Sequence, residues 1–192
     1  MSKTIGITGG IGSGKSIVSK ILQLMGYPVY SSDQRAKDLM TEDQSIVAGL
    51  KNLFGEEAYT NSTLNRPYIA NRIFQDDSKR IAMNNLVHPA VRADFKNWIE
   101  NQKSPIVFQE SALLFETGNY KSFDGIILVT APEKVRMQRV KERDQLTDEQ
   151  VQSRFNAQLS EEEKMKLTDY IISNDGNQLL VPQILDLLKK LA

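Results

Sequence analysis

The sequence predicts an α/β protein built on a five-stranded parallel sheet that is flanked by helices. Short apolar runs alternate along the chain with longer amphipathic stretches, which is the pattern of successive βαβ units. A glycine-rich segment ends the first apolar run and opens the first amphipathic stretch. The chain has 192 residues, of which 40% are hydrophobic and 25% charged, and this composition suffices for one globular unit with a hydrophobic core.

Five apolar runs are predicted as strands because they are short and rich in β-branched residues, as buried strands are. They are Thr4–Thr8, Pro28–Ser31, Pro105–Gln109, Gly125–Thr130 and Tyr170–Ser173. Three longer stretches carry apolar residues at helical spacing and are predicted as helices: Lys15–Met25, Ser78–Glu100 and Leu179–Leu191. In the second of these helices, His88 and Pro89 predict an interruption, since proline favours the first position of a helix.

Two long additions to the alternating pattern are predicted within the single unit 1–192. About 70 residues of mostly helical pattern separate the second and third strands, far more than one crossover needs. We interpret this segment, roughly residues 35–100, as a helical insert that covers something bound at the strand ends. The charged stretch at about 133–166 contains neither glycine nor proline, and Pro132 directly precedes it. This stretch is predicted to be helical and to form a lid region.

Composition and charge exclude several classes of protein. The 24 basic and 24 acidic residues give no net charge, which argues against binding to nucleic acid through its phosphate backbone. The chain has no cysteine, so it has neither a disulfide framework nor a thiolate metal cage. No apolar run approaches the roughly 18 residues that span a membrane, and the first glycines follow too soon for a signal peptide. We therefore expect a soluble cytoplasmic protein without an obligate protein partner.

The strongest functional signal is the segment Gly9–Ser16, which has the complete pattern G-x-x-x-x-G-K-[ST] between a strand and a helix. Glycines let backbone N–H groups turn towards phosphate oxygens, and the helix N-terminus adds a partial positive charge. Lys15 is predicted to reach the β- and γ-phosphates, and the Ser16 hydroxyl to bind Mg²⁺. The alternative is a plain glycine-rich turn. We predict a site for a nucleoside triphosphate on Gly9, Gly10, Gly12, Ser13, Gly14, Lys15, Ser16 and Ile17.

Two carboxylates follow predicted strands and are candidates for the chemistry at the γ-phosphate. The Asn-Lys-x-Asp motif of switch GTPases is absent, and the third strand ends in a single carboxylate, Glu110. Glu110 would hold Mg²⁺ through water, although a plain surface carboxylate fits equally well. Asp33 follows the second strand, and carboxyl ends of parallel strands face the ligand crevice. It would accept a proton from an alcohol; a helix N-cap is an equal alternative.

Three arginines, Arg136, Arg139 and Arg143, recur at spacings of three and four, which places them on one face of a helix. Such a cationic face suits a lid that closes over transferring phosphates and neutralises their developing charge. The alternative is a solvated face whose arginines pair with nearby acidic residues, namely Glu133, Glu142 and Asp144.

An ordered set of short segments, spread over nearly the whole chain, resembles the dephospho-CoA kinase family. These segments are Gly6–Ser16, Leu64-Asn65-Arg66, His88-Pro89-Ala90-Val91-Arg92, Leu113-Leu114-Phe115-Glu116, and Asn174 with Gly176. The resemblance implies an enzyme of the last step of coenzyme A synthesis. Such an enzyme uses ATP with Mg²⁺ to phosphorylate the ribose 3′-hydroxyl of dephospho-CoA, and it has a P-loop kinase fold with a helical acceptor-binding insert.

The resemblance also implies a role for individual residues. Asp33 corresponds to the base that activates the 3′-hydroxyl, and Arg139 to a lid residue that contacts the ATP phosphates. The residues implied beside bound molecules are Asn174 and Gly176 for the adenine, and Arg66, His88 and Arg92 for the acceptor. The chain departs from the family pattern at Ser31, which replaces an aspartate and leaves Asp33 as the base or as a ligand of Mg²⁺ through water. It also departs at Arg136, which replaces a glutamine. Another small-molecule kinase and a nucleotide-dependent switch are the alternatives.

Overall fold

A parallel five-stranded sheet is the centre of the computed structural model, which describes residues 2–191. In chain order the strands are β1 (Lys3–Thr8), β2 (Val29–Ser31), β3 (Tyr59–Thr60), β4 (Thr63–Leu64), β5 (Ile106–Glu110), β6 (Gly125–Thr130) and β7 (Tyr170–Ser173). The sheet has the order β2-β5-β1-β6-β7, and all its neighbouring strands are parallel. The predicted α/β class and its five-stranded sheet are therefore confirmed. β3 and β4 form a separate antiparallel hairpin, which the sequence pattern did not predict.

The helices, in chain order, are α1 (Lys15–Leu24), α2 (Ser32–Glu42), α3 (Gln44–Phe54), α4 (Arg66–Gln75), α5 (Asp77–Glu100), α6 (Glu133–Asp144), α7 (Asp148–Asn156), α8 (Glu161–Met165) and α9 (Leu180–Leu191). Short 3₁₀ turns occupy Glu56–Ala58 and Asn119–Ser122. Within residues 2–191, none of these helices combines the length and the apolar character that crossing a membrane requires.

The sheet is buried on both faces, and this burial explains the apolar runs. On β6, Ile127 and Val129 belong to one hydrophobic cluster, while Ile126 and Leu128 belong to another. Because successive side chains of a strand point to opposite faces, a strand covered on both sides has few polar positions. The first cluster also contains apolar residues of the flanking helices, namely Val18 and Leu22 of α1 and Ile184, Leu187 and Leu191 of α9.

The chain divides into two compact units. The first runs up to Ser31 and resumes at Gln102, so it contains the parallel sheet with α1 and α6–α9. The second, Ser32–Asn101, contains α2–α5 and the β3–β4 hairpin. Its bounds lie close to the helical insert predicted at about 35–100, and an acceptor-binding role for this unit stays a prediction.

The helix α5 corrects one expectation, because it continues through Pro89 instead of breaking at His88. A proline inside a helix lacks an N–H donor and crowds the carbonyl four residues earlier. Here the buried side chains of Val87 and Val91 lie on either side of Pro89 in the sequence. Their burial holds both halves of the helix in place, and this gain outweighs the lost hydrogen bond.

The charged segment 133–166 is helical, as predicted, and comprises α6, α7 and α8. Capping boxes begin the last two helices, with the pairs Thr147–Gln150 and Ser160–Glu163. Function as a lid stays a prediction.

Candidate nucleotide-binding site

The loop between β1 and α1 has a backbone that requires glycine at two positions. Gly12 and Gly14 have φ angles of 79° and 93°, which side chains other than glycine rarely adopt. A Cβ atom on Gly12 would lie 2.5 Å from the carbonyl oxygen of Arg136, and one on Gly14 would collide with the side-chain amide of Asn174. The motif glycines therefore allow α6 and the segment after β7 to approach the loop.

The same loop presents donors that suit a polyphosphate. Ser13 N–H donates to the Gly10 carbonyl at 3.1 Å, whereas the backbone N–H groups of Gly12, Gly14 and Ser16 find no acceptor among residues 2–191. Lys15 Nζ lies over the loop and donates to the carbonyls of Gly9 and Gly10. Together with the N-terminus of α1, these groups fit a triphosphate, and the exposed Ser16 side chain fits a magnesium ligand.

Glu110 lies at the carboxyl end of β5, next to the strand that carries the loop. In the sheet register it is opposite Ile7 of β1 on one side and Ser31 of β2 on the other. Its side chain is half-buried. The first unit thus holds a carboxylate at the same edge of the sheet as the phosphate loop, and a magnesium role for Glu110 stays a prediction.

Asn174, the first residue after β7, is tied to the phosphate loop. Its side chain is buried, and its Nδ2 donates to the carbonyl oxygen of Ser13 at 2.8 Å. Its backbone N–H donates to the Thr130 carbonyl at the end of β6, which fixes its position relative to the sheet. Gly176, two residues later, is exposed with a φ of 90°, and Asp175 between them accepts from the backbone of Asn177 and Gln178.

Arg139 of α6 reaches the loop directly. Its Nη1 donates to the Gly12 carbonyl at 3.4 Å, and its Nη2 donates to the Asn174 carbonyl at 3.0 Å. The guanidinium is half-buried, so its charge is less screened than that of an exposed side chain. This position, beside Gly12, suits the predicted contact with transferring phosphates.

The three arginines of α6 do not form the single cationic stripe that their spacing predicted. Arg143 is exposed and pairs with Asp144 at 2.7 Å, and this hydrogen bond is the main cause that lowers the pKa of Asp144. Arg136 is only 7% exposed; its Nε donates to the Ala131 carbonyl, and its Nη2 lies 3.3 Å from Glu161. Spacing placed all three on α6, but packing of α6 against the loop and α8 gives each a different environment.

Arg136 therefore has a structural role, which we expect a stability measurement to detect. Methionine at this position keeps much of the volume but removes the bonds to Ala131 and Glu161, so Arg136→Met should lower the free energy of unfolding by about 1–3 kcal/mol. Urea denaturation measures the change. Arg143→Met is the matched control, and it should cost less than about 0.5 kcal/mol because its salt bridge is exposed. Equal losses in the two variants would contradict this assignment.

The phosphate loop is also contacted by a residue that no pattern in the sequence predicts. Gln158, between α7 and α8, accepts a hydrogen bond from Ile11 N–H at its Oε1 and donates from Nε2 to the Ala112 carbonyl. A glutamine in a polar stretch carries no pattern that points to the loop. The one signal comes from the resemblance to the dephospho-CoA kinase family, because Arg154 and Gln158 fall in that family's order of residues.

The remaining predicted residues belong to the second unit. Asp33 is exposed in the first turn of α2, and Arg66 is exposed at the start of α4, directly after the helix cap Asn65. The half-buried His88 and the exposed Arg92 lie one turn apart on α5. Burial lowers the pKa of His88, repulsion by Arg92 lowers it further, and Asp33 partly opposes both effects. The fold thus brings Asp33, His88 and Arg92 within electrostatic range of one another.

The lowered pKa of His88, the only histidine in the chain, predicts a pH dependence of stability. The unfolded chain takes up the proton first as the pH falls, near the ordinary value of about 6.5, so the free energy of unfolding should decline below that pH. His88→Gln should remove this component of the decline. The difference between the two proteins in urea denaturation, at about pH 8 and about pH 5.5, measures it. A wild type that gains stability relative to the variant at the lower pH would show the opposite sign.

Comparisons with known proteins agree with this geometry over the whole chain. The family model CoaE, described as dephospho-CoA kinase, matches residues 3–179. A dephospho-CoA kinase of Bacteroides fragilis (strain YCH46) is 40% identical over 189 residues, which cover 98% of this chain and 92% of the relative. The chain belongs to the dephospho-CoA kinase family. A dephospho-CoA kinase of Porphyromonas gingivalis is likewise 40% identical, over 97% of this chain and 93% of its own length.

Solved structures agree with the family assignment. The crystal structure of TT1252 from Thermus thermophilus is 36% identical and superposes with a TM-score of 0.88, covering 100% of this chain and 98% of the other. A dephospho-CoA kinase from Campylobacter jejuni has a TM-score of 0.73 at 23% identity, with 100% and 98% of the two chains covered. A shikimate kinase from Acinetobacter baumannii has a TM-score of 0.59 at 16% identity, with 99% and 94% covered. The last two show that this dephospho-CoA kinase family member has the P-loop kinase fold.

Proposed function

We propose that the protein transfers the γ-phosphate of ATP to the ribose 3′-hydroxyl of dephospho-CoA, which yields CoA and ADP. The observation that carries this proposal is the match to the family model over residues 3–179, a span that includes every residue predicted for the site. The loop Gly9–Ile17 supports ATP as the phosphate donor, because its glycines, its amide donors and Lys15 form the groups that bind a triphosphate.

In this proposal the triphosphate lies on the loop, and Lys15 turns from the carbonyls of Gly9 and Gly10 to the β- and γ-phosphates. Arg139 stabilises the negative charge on the phosphoryl group as it moves. A hydrogen-bond donor that is already in place beside the phosphoryl group is effective, because the protein has to reorganise little during the reaction. Asn174 and Gly176 lie beside the adenine. The lid region α6–α8 excludes water, which limits hydrolysis of ATP.

The Ser16 hydroxyl would hold Mg²⁺, and Glu110 or Asp33 would act on the ion through bound water. Bound there, Mg²⁺ would supply positive charge that neutralises the phosphate oxygens. These side chains are oxygen ligands, which Mg²⁺ prefers, and few protein ligands suffice because the ion retains several waters. The described residues hold no cluster of three or more histidine or acidic side chains fit for a metal, which agrees with an ion that would use few protein ligands.

The acceptor is bound by Arg66, His88 and Arg92 of the second unit. Asp33 orients its 3′-hydroxyl and takes the proton when the oxygen forms a bond to the γ-phosphorus and the bond to the ADP oxygen breaks. An exposed carboxylate suits this role because it is accessible to a substrate hydroxyl. We place the reaction in the cytoplasm and propose that the chain performs it without a protein partner.

The test is to incubate the purified protein alone with Mg²⁺, ATP and dephospho-CoA, and to follow all four nucleotides by chromatography and mass. Equal amounts of CoA and ADP are expected, with the added phosphate on the 3′-oxygen. ADP formation that does not depend on the acceptor would indicate a nucleotide switch. A folded protein that binds ATP but forms no CoA would contradict the substrate, and a screen of nucleosides and nucleotides as acceptors would follow.

A further inference from the structure

Gln158 makes the clearest contact with the phosphate loop that the mechanism above does not use. Its side-chain Oε1 accepts the N–H of Ile11 at 2.8 Å, and its Nε2 donates to the carbonyl oxygen of Ala112 at 3.1 Å. One amide side chain thus joins the loop after β1 to the segment after β5. We propose that Gln158 is a positioning residue for ATP, which fixes the backbone of the phosphate loop in the conformation that receives the phosphates.

The hydrogen bond to Ile11 matters because the loop is intrinsically flexible. Ile11 has a glycine on each side, and glycine loses more backbone freedom on ordering than any other residue. The Ile11 N–H is engaged by Gln158, whereas the N–H groups of Gly12, Gly14 and Ser16 have no acceptor among residues 2–191. A bond at Ile11 therefore restrains the loop without occupying the donors that suit phosphate oxygens.

Gln158 is itself firmly held, which a positioning residue requires. The next residue, Leu159, donates its N–H to Glu116 Oε1 at 3.0 Å, and the same oxygen lies 3.2 Å from Nζ of the fully buried Lys164. A buried ion pair of this kind is costly to open once one partner is lost. The segment from Gln158 to Lys164 is thus anchored to residues 112–116, and the loop is held against a rigid support.

The anchored segment from Gln158 to Lys164 also connects the phosphate loop to the predicted lid region. Gln158 follows α7 in the sequence, and its own backbone N–H donates to the Phe155 carbonyl at the end of that helix. The ring of Phe155 lies 4.8 Å from the guanidinium of Arg136, whose Nη1 fills the space where a Cβ of Gly10 would be. The side chain of Arg136 therefore lies against Gly10, and that of Gln158 bonds to the backbone of Ile11, the next residue of the loop.

The inference rests on ATP as the nucleotide of the proposed function, and it predicts a change in ATP binding alone. Gln158→Leu removes both hydrogen bonds at similar volume, so the Kd for Mg²⁺-ATP should rise about 3- to 10-fold, the effect of one net hydrogen bond. The KM for ATP should rise by the same factor. The kcat and the KM for dephospho-CoA should stay within about two-fold, because the variant loses ATP binding energy that is equal in the ground state and the transition state. Gln152→Leu is the matched control, since this glutamine on α7 is exposed and its side-chain amide donates to Asn156 on the same helix.

A second variant distinguishes positioning from a general loss of structure. In Gln158→Glu the protonated carboxyl reproduces the glutamine, with a hydroxyl that donates to Ala112 and a carbonyl that accepts from Ile11, whereas the carboxylate cannot donate. The facing Ala112 carbonyl disfavours the carboxylate, so the introduced carboxyl should take up its proton above the ordinary pKa of about 4.3. The ratio of kcat/KM for ATP between this variant and the wild type should therefore rise as the pH falls from about 8 to about 5. The same ratio for Gln158→Leu should remain flat.

Calorimetric titration of ATP needs no acceptor, so it tests the inference even if dephospho-CoA proves to be the wrong substrate. The positioning role is overturned if Gln158→Leu binds Mg²⁺-ATP as tightly as the wild type. It is also overturned if the weaker binding comes with an equal rise in the KM for the acceptor and a lower melting temperature. Should Gln158→Leu fail to fold, a flat pH ratio for Gln158→Glu overturns it instead.

Discussion

Asp33→Asn should lower kcat for CoA formation by about 10²- to 10⁴-fold, the usual contribution of a general base. Asparagine has the same shape as aspartate but cannot accept the proton of the 3′-hydroxyl at neutral pH. Because Asp33 is exposed in the first turn of α2, the substitution removes no buried contact and should leave the fold intact. The rate is measured at saturating Mg²⁺-ATP and dephospho-CoA, and binding of ATP is measured separately by calorimetry.

Asp38→Asn is the matched control for this experiment, because it removes a carboxylate from the same helix. Asp38 lies 3.4 Å from Arg35 and accepts from Gln34, and it has no place in the proposed chemistry. Its substitution should leave kcat within about two-fold of the wild type, since it removes only this long contact to Arg35 and no group of the proposed chemistry. If Asp33→Asn turns over as fast as Asp38→Asn, another group takes the proton and the assignment of Asp33 is wrong.

The second large effect is expected at Arg139, where methionine should lower kcat by about 10²- to 10³-fold, as loss of one preorganised donor does. The guanidinium already lies beside the loop, with bonds to the carbonyls of Gly12 and Asn174. Its charge is therefore close to the transferring phosphoryl group before the reaction starts. Arg139→Lys should restore only part of the rate, because an ammonium cannot contact two oxygens in the planar geometry of a guanidinium.

Lys134→Met provides the comparison for Arg139→Met, since it removes an exposed cation from the same helix. It should change kcat by less than about two-fold. Arg139 also joins the loop to Asn174, so some rise in the KM for ATP is expected beside the loss of kcat. A variant with an unchanged kcat and a raised KM would mean that Arg139 only holds the loop.

The parallel sheet and the phosphate loop could be predicted because their signals are local. A strand that is buried on both faces must be apolar at successive positions, and β6 shows this directly. The loop pattern depends on backbone angles at Gly12 and Gly14 that few other residues adopt, so it appears in the sequence itself. Both features were confirmed with bounds within a residue or two of those expected.

Other elements could not be predicted because long-range packing decides them. Pro89 signals the start of a helix, yet burial of Val87 and Val91 carries α5 straight through it. The β3–β4 hairpin has only two residues in each strand, too few for a period of two to be visible. Tertiary contacts override weak local preferences at both places.

For the candidate site, the sequence predicted which residue types serve the chemistry, and the fold determined how they are held. Lys15 and Ser16 follow from the motif alone, and Asp33 and Arg139 from their positions after a strand and on a charged helix. The spacing of the arginines did not separate Arg139 from Arg136, which only the family resemblance distinguished, and no local pattern pointed to the bond between Gln158 and Ile11. These differences depend on which side chain faces the loop once α6 and the segment after α7 have packed.

The amino-acid sequence by itself thus determined the α/β class, the phosphate loop and the family, because each is written in short-range patterns or in an ordered set of motifs. Only the tertiary structure decided that Arg136 is buried against Glu161, that Asn174 bonds to Ser13, and that Gln158 holds Ile11. The last two contacts join residues more than 140 positions apart, 161 and 147 respectively. Burial and hydrogen-bond geometry at such separations arise from the packing of the whole unit, and no local pattern encodes them.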